Sequence, residues 1–139
     1  MSLPPQVLTF ERTLDATLGF EADEVGPELA TGRFPAVDRV KQPYGLVHGG
    51  AFAAFAESLA SRATATAVAE EGLTAVGLSN YTSFVRPVTE GFVHAEARRR
   101  HRGRTTWLWE VDFTDDAGRL CALVRMTIAV RDAPGETAS

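Results

Sequence analysis

The chain has 139 residues, of which 45% are hydrophobic and 23% charged, and its formal net charge is −4. This composition is typical of one globular domain with a buried core, and it argues against a disordered, fibrous, membrane-spanning or nucleic-acid-binding protein. The N-terminal sequence lacks a basic segment followed by an apolar one, and Cys121 is the only cysteine. We therefore expect a cytoplasmic protein without a secretory signal or an internal disulfide.

The first third of the chain mixes short apolar pieces with glycine and proline. A short helix is predicted over residues 5–19, where apolar residues recur at helical spacing. These residues are Val7, Phe10 and Leu14. Two weak strands are predicted over residues 20–36, with a turn near Gly26-Pro27.

A long helix is predicted over about residues 49–70. The segment is rich in alanine, so the helix is slim enough to lie close against a sheet. Gly72 follows it and is expected to end it.

After Gly72 the apolar pattern changes to a period of two residues, which is typical of β-strands. Four strands joined largely by tight turns are predicted, over about 76–85, 92–101, 107–113 and 120–130. This order predicts an α+β domain in which one antiparallel sheet packs on the central helix. We expect a single domain over 1–139, with its core at about 20–131 and a frayed tail at 132–139.

Glu57 is the only formally charged residue between Lys41 and Arg62. A lone carboxylate on an apolar helix is costly to bury without a partner, and such a group is a candidate base. The structural alternative is that Glu57 caps a turn or faces solvent.

Gly49 and Gly50 stand at the predicted start of the same helix, where the first backbone N–H groups lack partners within the helix. Such a helix end stabilises the oxyanion that develops on a carbonyl under attack. Gly49 and Glu57 lie about 12 Å apart along the helix axis, too far to act on one carbonyl. The sequence therefore predicts acyl transfer or hydrolysis in a homodimer, in which Gly49 faces Glu57 of the partner subunit.

Several motifs between residues 30 and 131 carry a family resemblance. They are Gly45-Leu46-Val47-His48-Gly49-Gly50, Glu57 nine residues after the histidine, Val85-Arg86-Pro87-Val88, His101-Arg102-Gly103-Arg104 and Asp116-Ala117-Gly118-Arg119. With these motifs the chain resembles the hotdog-fold thioesterases, in particular the acyl-CoA thioesterases of the phenylacetate-degradation and 4-hydroxybenzoyl-CoA type. The resemblance implies an antiparallel β-sheet wrapped around a long central α-helix, a dimer of dimers, and hydrolysis of an acyl-CoA or aryl-CoA thioester.

The resemblance also implies roles for five residues. Gly49 would donate its backbone N–H to the thioester carbonyl, and Glu57 of the partner subunit would be nucleophile or general base. His48 and Gln42 would position the thioester or assist the leaving thiolate, and Ser61 would orient the attacking water. The structural alternatives are a hydrogen-bonded histidine, a loop glutamine, and a serine bonded to a carbonyl of its own helix.

Coenzyme A carries phosphates, and five arginines surround one predicted hairpin: Arg98, Arg99, Arg100, Arg102 and Arg104. Side chains on a strand alternate between its faces, so these five cannot all share a ligand. The resemblance favours Arg86, Arg104 and Thr105 for CoA binding, with Thr106 and Arg131 as further candidates. Nucleic acid is a poor alternative because the patch lacks interleaved aromatic residues.

Other chemistries find little support in the sequence. His48, His94 and His101 lack metal-ligand spacing, and there is no serine-hydrolase elbow or dinucleotide fingerprint. We therefore expect no metal and no cofactor. A non-catalytic acyl-CoA-binding protein is the alternative function, but a binder has no use for an acid aimed at a carbonyl. A hydratase or dehydratase would need an acid–histidine pair that the sequence does not reveal.

Overall fold

One long helix and six antiparallel strands make up the structure, a computed structural model that describes residues 6–134. The helices are α1 (Leu14–Leu18) and α2 (Gly49–Val68), and short 3-10 turns cover Phe10–Arg12, Asp38–Val40 and Ala69–Glu71. The strands are β1 (Glu21–Val25), β2 (Leu29–Pro35), β3 (Leu73–Phe84), β4 (Phe92–Arg102), β5 (Thr106–Thr114) and β6 (Leu120–Asp132).

The six strands form one sheet in the order β1-β2-β4-β5-β6-β3, and α2 packs on one face of it. Large apolar side chains from both layers fill the space between them, among them Phe34, Phe55, Leu59, Trp109 and Met126. The inward residues of β4, β5 and β6 alternate with exposed or half-buried ones. This arrangement confirms the predicted α+β hotdog fold.

Helix α2 begins and ends where the sequence indicates. His48 caps its first turn with an extended backbone (φ −63°, ψ 134°), and Gly72 follows the last 3-10 turn in the left-handed conformation (φ 74°). Its buried face combines Phe52 and Phe55 with several alanines, which allow the helix axis to approach the sheet. The predicted range of 49–70 agrees with α2 and the turn that follows it.

Strand β3 lies at the edge of the sheet, hydrogen-bonded to β6 alone among the described strands. Its pairing with β6 is interrupted by a register shift between Gly77 and Ser79. Four large apolar side chains of this strand are exposed: Val76, Leu78, Tyr81 and Phe84. An edge of this length with apolar side chains is a surface on which another strand readily pairs.

The N-terminal helix differs from the prediction. Instead of one helix over 5–19, a 3-10 turn precedes α1, and extended Thr13 separates the two. Thr13 accepts a hydrogen bond from the N–H of Ala16, so a helix start replaces the continuous helix there. Pro4 and Pro5, the predicted start, lie outside the described residues. Asp132 still pairs with Leu73, so β6 extends into the predicted tail, of which residues 135–139 are not described.

A buried hydrogen-bond chain ties β5 to α2 and yields a stability prediction. Trp109 Nε1 donates to Thr64 Oγ1 at 2.8 Å, and that hydroxyl donates to the Ala60 carbonyl at 2.8 Å. Replacing Thr64→Val keeps the volume but leaves the indole N–H without a partner, so we expect a loss of about 1–3 kcal/mol. Urea unfolding followed by tryptophan fluorescence measures it. Thr64→Ser is the control, and an equal loss in both variants would show that the hydroxyl contributes nothing.

Candidate active site

The start of α2 presents one backbone N–H that has no hydrogen-bond partner within residues 6–134. His48 Nδ1 accepts the N–H of Gly50 at 2.8 Å, so a neutral His48 ring carries its proton on Nε2. The backbone N–H of His48 donates to the Val40 carbonyl at 2.8 Å. The N–H of Gly49 takes part in none of the hydrogen bonds found within residues 6–134. This group therefore faces outward with the positive end of the helix dipole behind it.

Phe84, at the end of β3, packs directly on this helix start. A Cβ atom placed on Gly49 would lie 2.6 Å from Cζ and 2.8 Å from Cε1 of Phe84. The Phe84 ring also meets Phe52 edge-on, with 6.2 Å between the ring centroids, yet 61% of the residue is exposed. Gly49 is thus a glycine because the ring occupies the space of a side chain.

Glu57 lies two turns further along α2 and faces β3. A Cβ placed on Gly77 would lie 3.8 Å from both Cγ and Cδ of Glu57. Between these two contacts, Asn80 Nδ2 donates to the Ala53 carbonyl at 2.9 Å. Glu57 is exposed, and no hydrogen bond or ion pair within the described range holds its carboxylate. Within the described chain Glu57 therefore faces solvent, as the structural alternative predicts.

Gln42 belongs to a loop that folds back onto the helix start. Lys41 and Val47 form an isolated antiparallel bridge, the N–H of Gln42 donates to the Leu46 carbonyl at 2.8 Å, and its side-chain Oε1 accepts the N–H of Tyr44. These bonds place Gln42 opposite Leu46, two residues before His48, and they leave its side-chain NH2 group for a ligand.

Ser61 follows Glu57 by one turn on the same face of α2. Its Oγ is buried and has no hydrogen-bond partner within the described part of the chain. The alternative that Ser61 bonds to a carbonyl of its own helix is therefore not what the structure shows. A buried hydroxyl without a partner is costly and needs a water or a ligand to satisfy it.

The arginines around the β4–β5 hairpin mostly have partners within the chain. Arg98 pairs with Glu96, Arg99 with Glu28, Arg100 with Glu110 and Arg102 with Glu71. Arg99 and Arg102 also lie over the ring of Trp107. Within residues 6–134, Arg104 is the member of this run without an ion pair. Most of the run is therefore structural, and Arg104 is available to a ligand.

The predicted CoA-binding residues fall into two places. Arg131 Nη1 donates to the Thr105 carbonyl at 3.4 Å, which places Arg131 beside Arg104, Thr105 and Thr106. Arg86 lies at the other end of β6, where its N–H donates to the Cys121 carbonyl at 3.0 Å. Ten residues of strand separate these two ends, about 33 Å. A single chain therefore does not bring Arg86 to the other four residues.

An acid–histidine pair that sequence reasoning missed lies away from α2. His94 Nε2 is 2.7 Å from Oδ1 of Asp116, and Oδ2 of the same carboxylate accepts the N–H of Phe92. These hydrogen bonds, that of His94 first, hold the pKa of Asp116 below its usual value. Val93 and Ala95 on either side of His94 point into the core, so the pair lies on the opposite face of the sheet from Gly49. It ties β4 to the β5–β6 turn.

Comparison with known proteins identifies the family. A family model described as the thioesterase superfamily matches residues 44–122, a range that includes both Gly49 and Glu57. The chain belongs to the thioesterase superfamily. It is 39% identical to the proofreading thioesterase EntH of Klebsiella pneumoniae over 120 residues, which cover 86% of this chain and 87% of EntH.

Solved thioesterase structures share the fold. A crystal structure of a mutant of the thioesterase PA1618 from Pseudomonas aeruginosa superposes with a TM-score of 0.82 at 33% identity, covering 94% of this chain and 99% of that one. The thioesterase HI1161 from Haemophilus influenzae gives a TM-score of 0.84 at 30% identity, covering 95% and 96%. These relatives show that the chain is a thioester hydrolase.

Two further findings concern the part of the chain that the structure describes. None of its helices is both long and apolar enough to cross a membrane. Within the same residues, no group of three or more His, Cys, Asp or Glu side chains is arranged to hold a metal ion.

The single thiol of the chain gives a prediction that matters for assays of thiol release. Cys121 is buried, its Sγ donates to the Arg119 carbonyl at 3.3 Å, and burial raises the pKa of the thiol. We expect the folded protein to be unreactive towards DTNB at pH 8, and to release one equivalent of dye after unfolding in guanidinium. Rapid reaction of the folded protein would show that β6 opens locally.

Proposed function

We propose that the protein hydrolyses an acyl-CoA or aryl-CoA thioester in a site shared between two subunits. The backbone N–H of Gly49 would polarise the thioester carbonyl, and Glu57 of the partner subunit would be nucleophile or general base. The observation that carries this proposal is the alignment of α2 along the edge strand β3. It places Gly49 beside Phe84 and Glu57 beside Gly77, at two separate points of the same exposed edge.

The positions of these contacts suggest a specific register for the dimer. Phe84 pairs with Ala122 of β6 and Gly77 with Ile128, so the two contacts are six residues apart on β6, about 20 Å. Their midpoint is Arg125, which pairs with Tyr81. A two-fold axis at Tyr81 would join the two β3 edges antiparallel, with Phe84 opposite the partner's Gly77. Gly49 would then lie level with the partner's Glu57, as the shared site requires.

The same axis would unite the two groups of CoA-binding candidates. It would place Arg86 near the end of the partner's β3, where Ala75 pairs with Val130. The partner's Arg104 and Thr105 would then lie about 15 Å away, across three strand spacings of about 4.8 Å. Long arginine side chains can bridge that distance to the phosphates of one ligand. The separation of Arg86 from the other candidates within one chain is therefore expected if the ligand binds across the interface.

The remaining residues fit steps of thioester hydrolysis. With Glu57 as base, a water oxygen would add to the carbonyl carbon and the carbon–sulfur bond would then break. With Glu57 as nucleophile, its carboxylate oxygen would displace the thiolate, and water would then hydrolyse the resulting anhydride. In both routes the thiolate takes up a proton. His48 Nε2–H and the NH2 group of Gln42 are donors near the helix start for the thioester or the thiolate. The unpaired hydroxyl of Ser61 would orient the water.

Relatives lend support to the choice of residues. Two solved structures of SAV0944 from Staphylococcus aureus carry alanine in place of a glutamine and of a glutamate. Those two positions are fifteen residues apart, which is also the separation of Gln42 and Glu57. A non-catalytic acyl-CoA-binding protein has no comparable support. The cytoplasmic location and the association of dimers into tetramers stay predictions from the sequence.

Removal of the carboxylate tests the mechanism. Glu57→Gln and Glu57→Ala should lower kcat by at least about 10²-fold, the usual loss for a positioned acid–base group. Because Glu57 is exposed, has no partner within residues 6–134, and glutamine keeps its alkyl stem, the unfolding midpoint of Glu57→Gln should stay within experimental error. Release of free CoA from benzoyl-, phenylacetyl- and hexanoyl-CoA measures the rate. A folded Glu57→Ala protein that retained the wild-type rate on its best substrate would refute the mechanism.

Subunit complementation tests whether the site is shared. Gly49→Val puts a side chain into the space of Phe84 and blocks the carbonyl site, whereas Glu57→Ala removes the acid. In a heterodimer of these two inactive proteins, one site contains both lesions and the other contains neither. A statistical mixture after subunit exchange should therefore regain about a quarter of the wild-type sites. If heterodimers form without regained activity, both groups act within one chain or one of them is not catalytic.

A further inference from the structure

Neither a positive φ nor a close contact within residues 6–134 requires a glycine at position 77. Its φ lies outside the positive range that five other glycines adopt. The three atoms nearest to a Cβ placed on it would be Met126 Cε at 3.7 Å and Glu57 Cγ and Cδ at 3.8 Å, which are ordinary van der Waals distances. The described residues would therefore accommodate alanine at this position. A second chain packed over this position would explain the glycine.

Phe84 has an exposed ring surface, and Glu57 has a side chain that no contact within the described residues holds in place. The Phe84 ring rests on Gly49 but leaves most of its surface exposed on the sheet edge. Within residues 6–134, nothing holds the Glu57 carboxylate, so this side chain is free to change rotamer. A catalytic acid must instead be held within a narrow range of positions, and packing of its alkyl stem restricts it.

We propose that the ring of Phe84 packs into the space over the partner's Gly77 and against the alkyl stem of the partner's Glu57, and thereby positions that carboxylate towards Gly49. This inference rests on the two-fold register proposed above. Both Phe84 and Gly77 face α2, and directly opposite residues of an antiparallel pair bring their Cβ positions within about 4.5–5.5 Å. An aromatic ring lying over a glycine is a known way to stabilise such a strand pair.

Phe84 is therefore a positioning residue for Glu57, and its loss should affect turnover more than binding. Phe84→Leu retains an apolar side chain but shortens its reach, so kcat should fall about tenfold while KM for a CoA ester changes less than twofold. Gly77→Ala should also lower kcat about tenfold, because the methyl group displaces the partner's ring. An equal rise in KM with kcat unchanged would overturn this role.

A double-mutant cycle separates a contact across the interface from two unrelated defects. Gly77 and Phe84 lie about 20 Å apart in one chain, and mutations at that distance normally have additive effects. We expect Gly77→Ala with Phe84→Leu to lose no more than about tenfold in kcat, since the smaller side chain makes room for the methyl group. Gly77→Ala with Phe10→Leu, which changes another exposed phenylalanine, should show independent effects. A hundredfold loss in the first double variant would overturn the proposal.

Cysteine cross-linking tests the register without depending on activity. In a Cys121→Ala background, a chain with both Gly77→Cys and Phe84→Cys cannot form a bridge within itself over 20 Å. Opposite residues of paired strands have Cα atoms about 4.5–5.5 Å apart, which suits a disulfide. We expect a covalent dimer on a non-reducing gel after mild oxidation. The control pairs Gly77→Cys with Thr82→Cys, which are out of register and should not link. No link in the first variant, or equal links in both, would overturn the proposal.

The outcomes distinguish this inference from the function on which it rests. If Glu57→Ala is inactive but the effects on kcat are additive and no specific cross-link forms, the positioning role of Phe84 is refuted and the proposed hydrolysis is retained. If Glu57→Ala is fully active, the proposed function itself is refuted. A specific cross-link would then show the register of the dimer only.

Discussion

The alignment of α2 with the edge strand β3 is the constraint on which the site depends. Asn80 donates to the Ala53 carbonyl, and the alanine-rich face of the helix lets the two elements run side by side. Gly49 and Glu57 consequently lie at the level of Phe84 and Gly77. A bulkier helix face would hold α2 further from the sheet and would remove both contacts. The chemistry thus follows from how closely this helix packs.

Local patterns predicted most of the fold because strands such as β4 and β5 are buried on one face only. Trp107, Trp109, Val111 and Phe113 show this directly, since they alternate with exposed or half-buried residues. The prediction of one continuous N-terminal helix was wrong because the Thr13 side chain competes with the helical backbone for the N–H of Ala16. The spacing of apolar residues does not reveal this local effect. The family motifs gave the candidate residues but not the ion pairs of the arginine run.

What the sequence could not supply is the relation between distant residues. Arg86 and Arg104 belong to one predicted site, yet the topology puts them at opposite ends of β6. Likewise, the apolar alternation of β3 does not reveal that the Phe84 ring packs on Gly49, in the space that a Cβ atom would take. The available indication of a role for Phe84 is its position directly before the family motif Val85-Arg86-Pro87. These relations depend on strand order and on symmetry, which no short motif encodes.

The register shift in β3 determines which face of the sheet Gly77 and Phe84 present. Seven residues separate Gly77 from Phe84 along the chain, an odd number that would turn their side chains to opposite faces of a regular strand. The extra residue between Gly77 and Ser79 changes that parity, so both positions face the helix. Deleting Leu78 would remove the register shift. The side chains on one half of β3 would then point to the opposite face of the sheet. The irregularity is therefore the feature that would let one strand carry both halves of the proposed symmetric site.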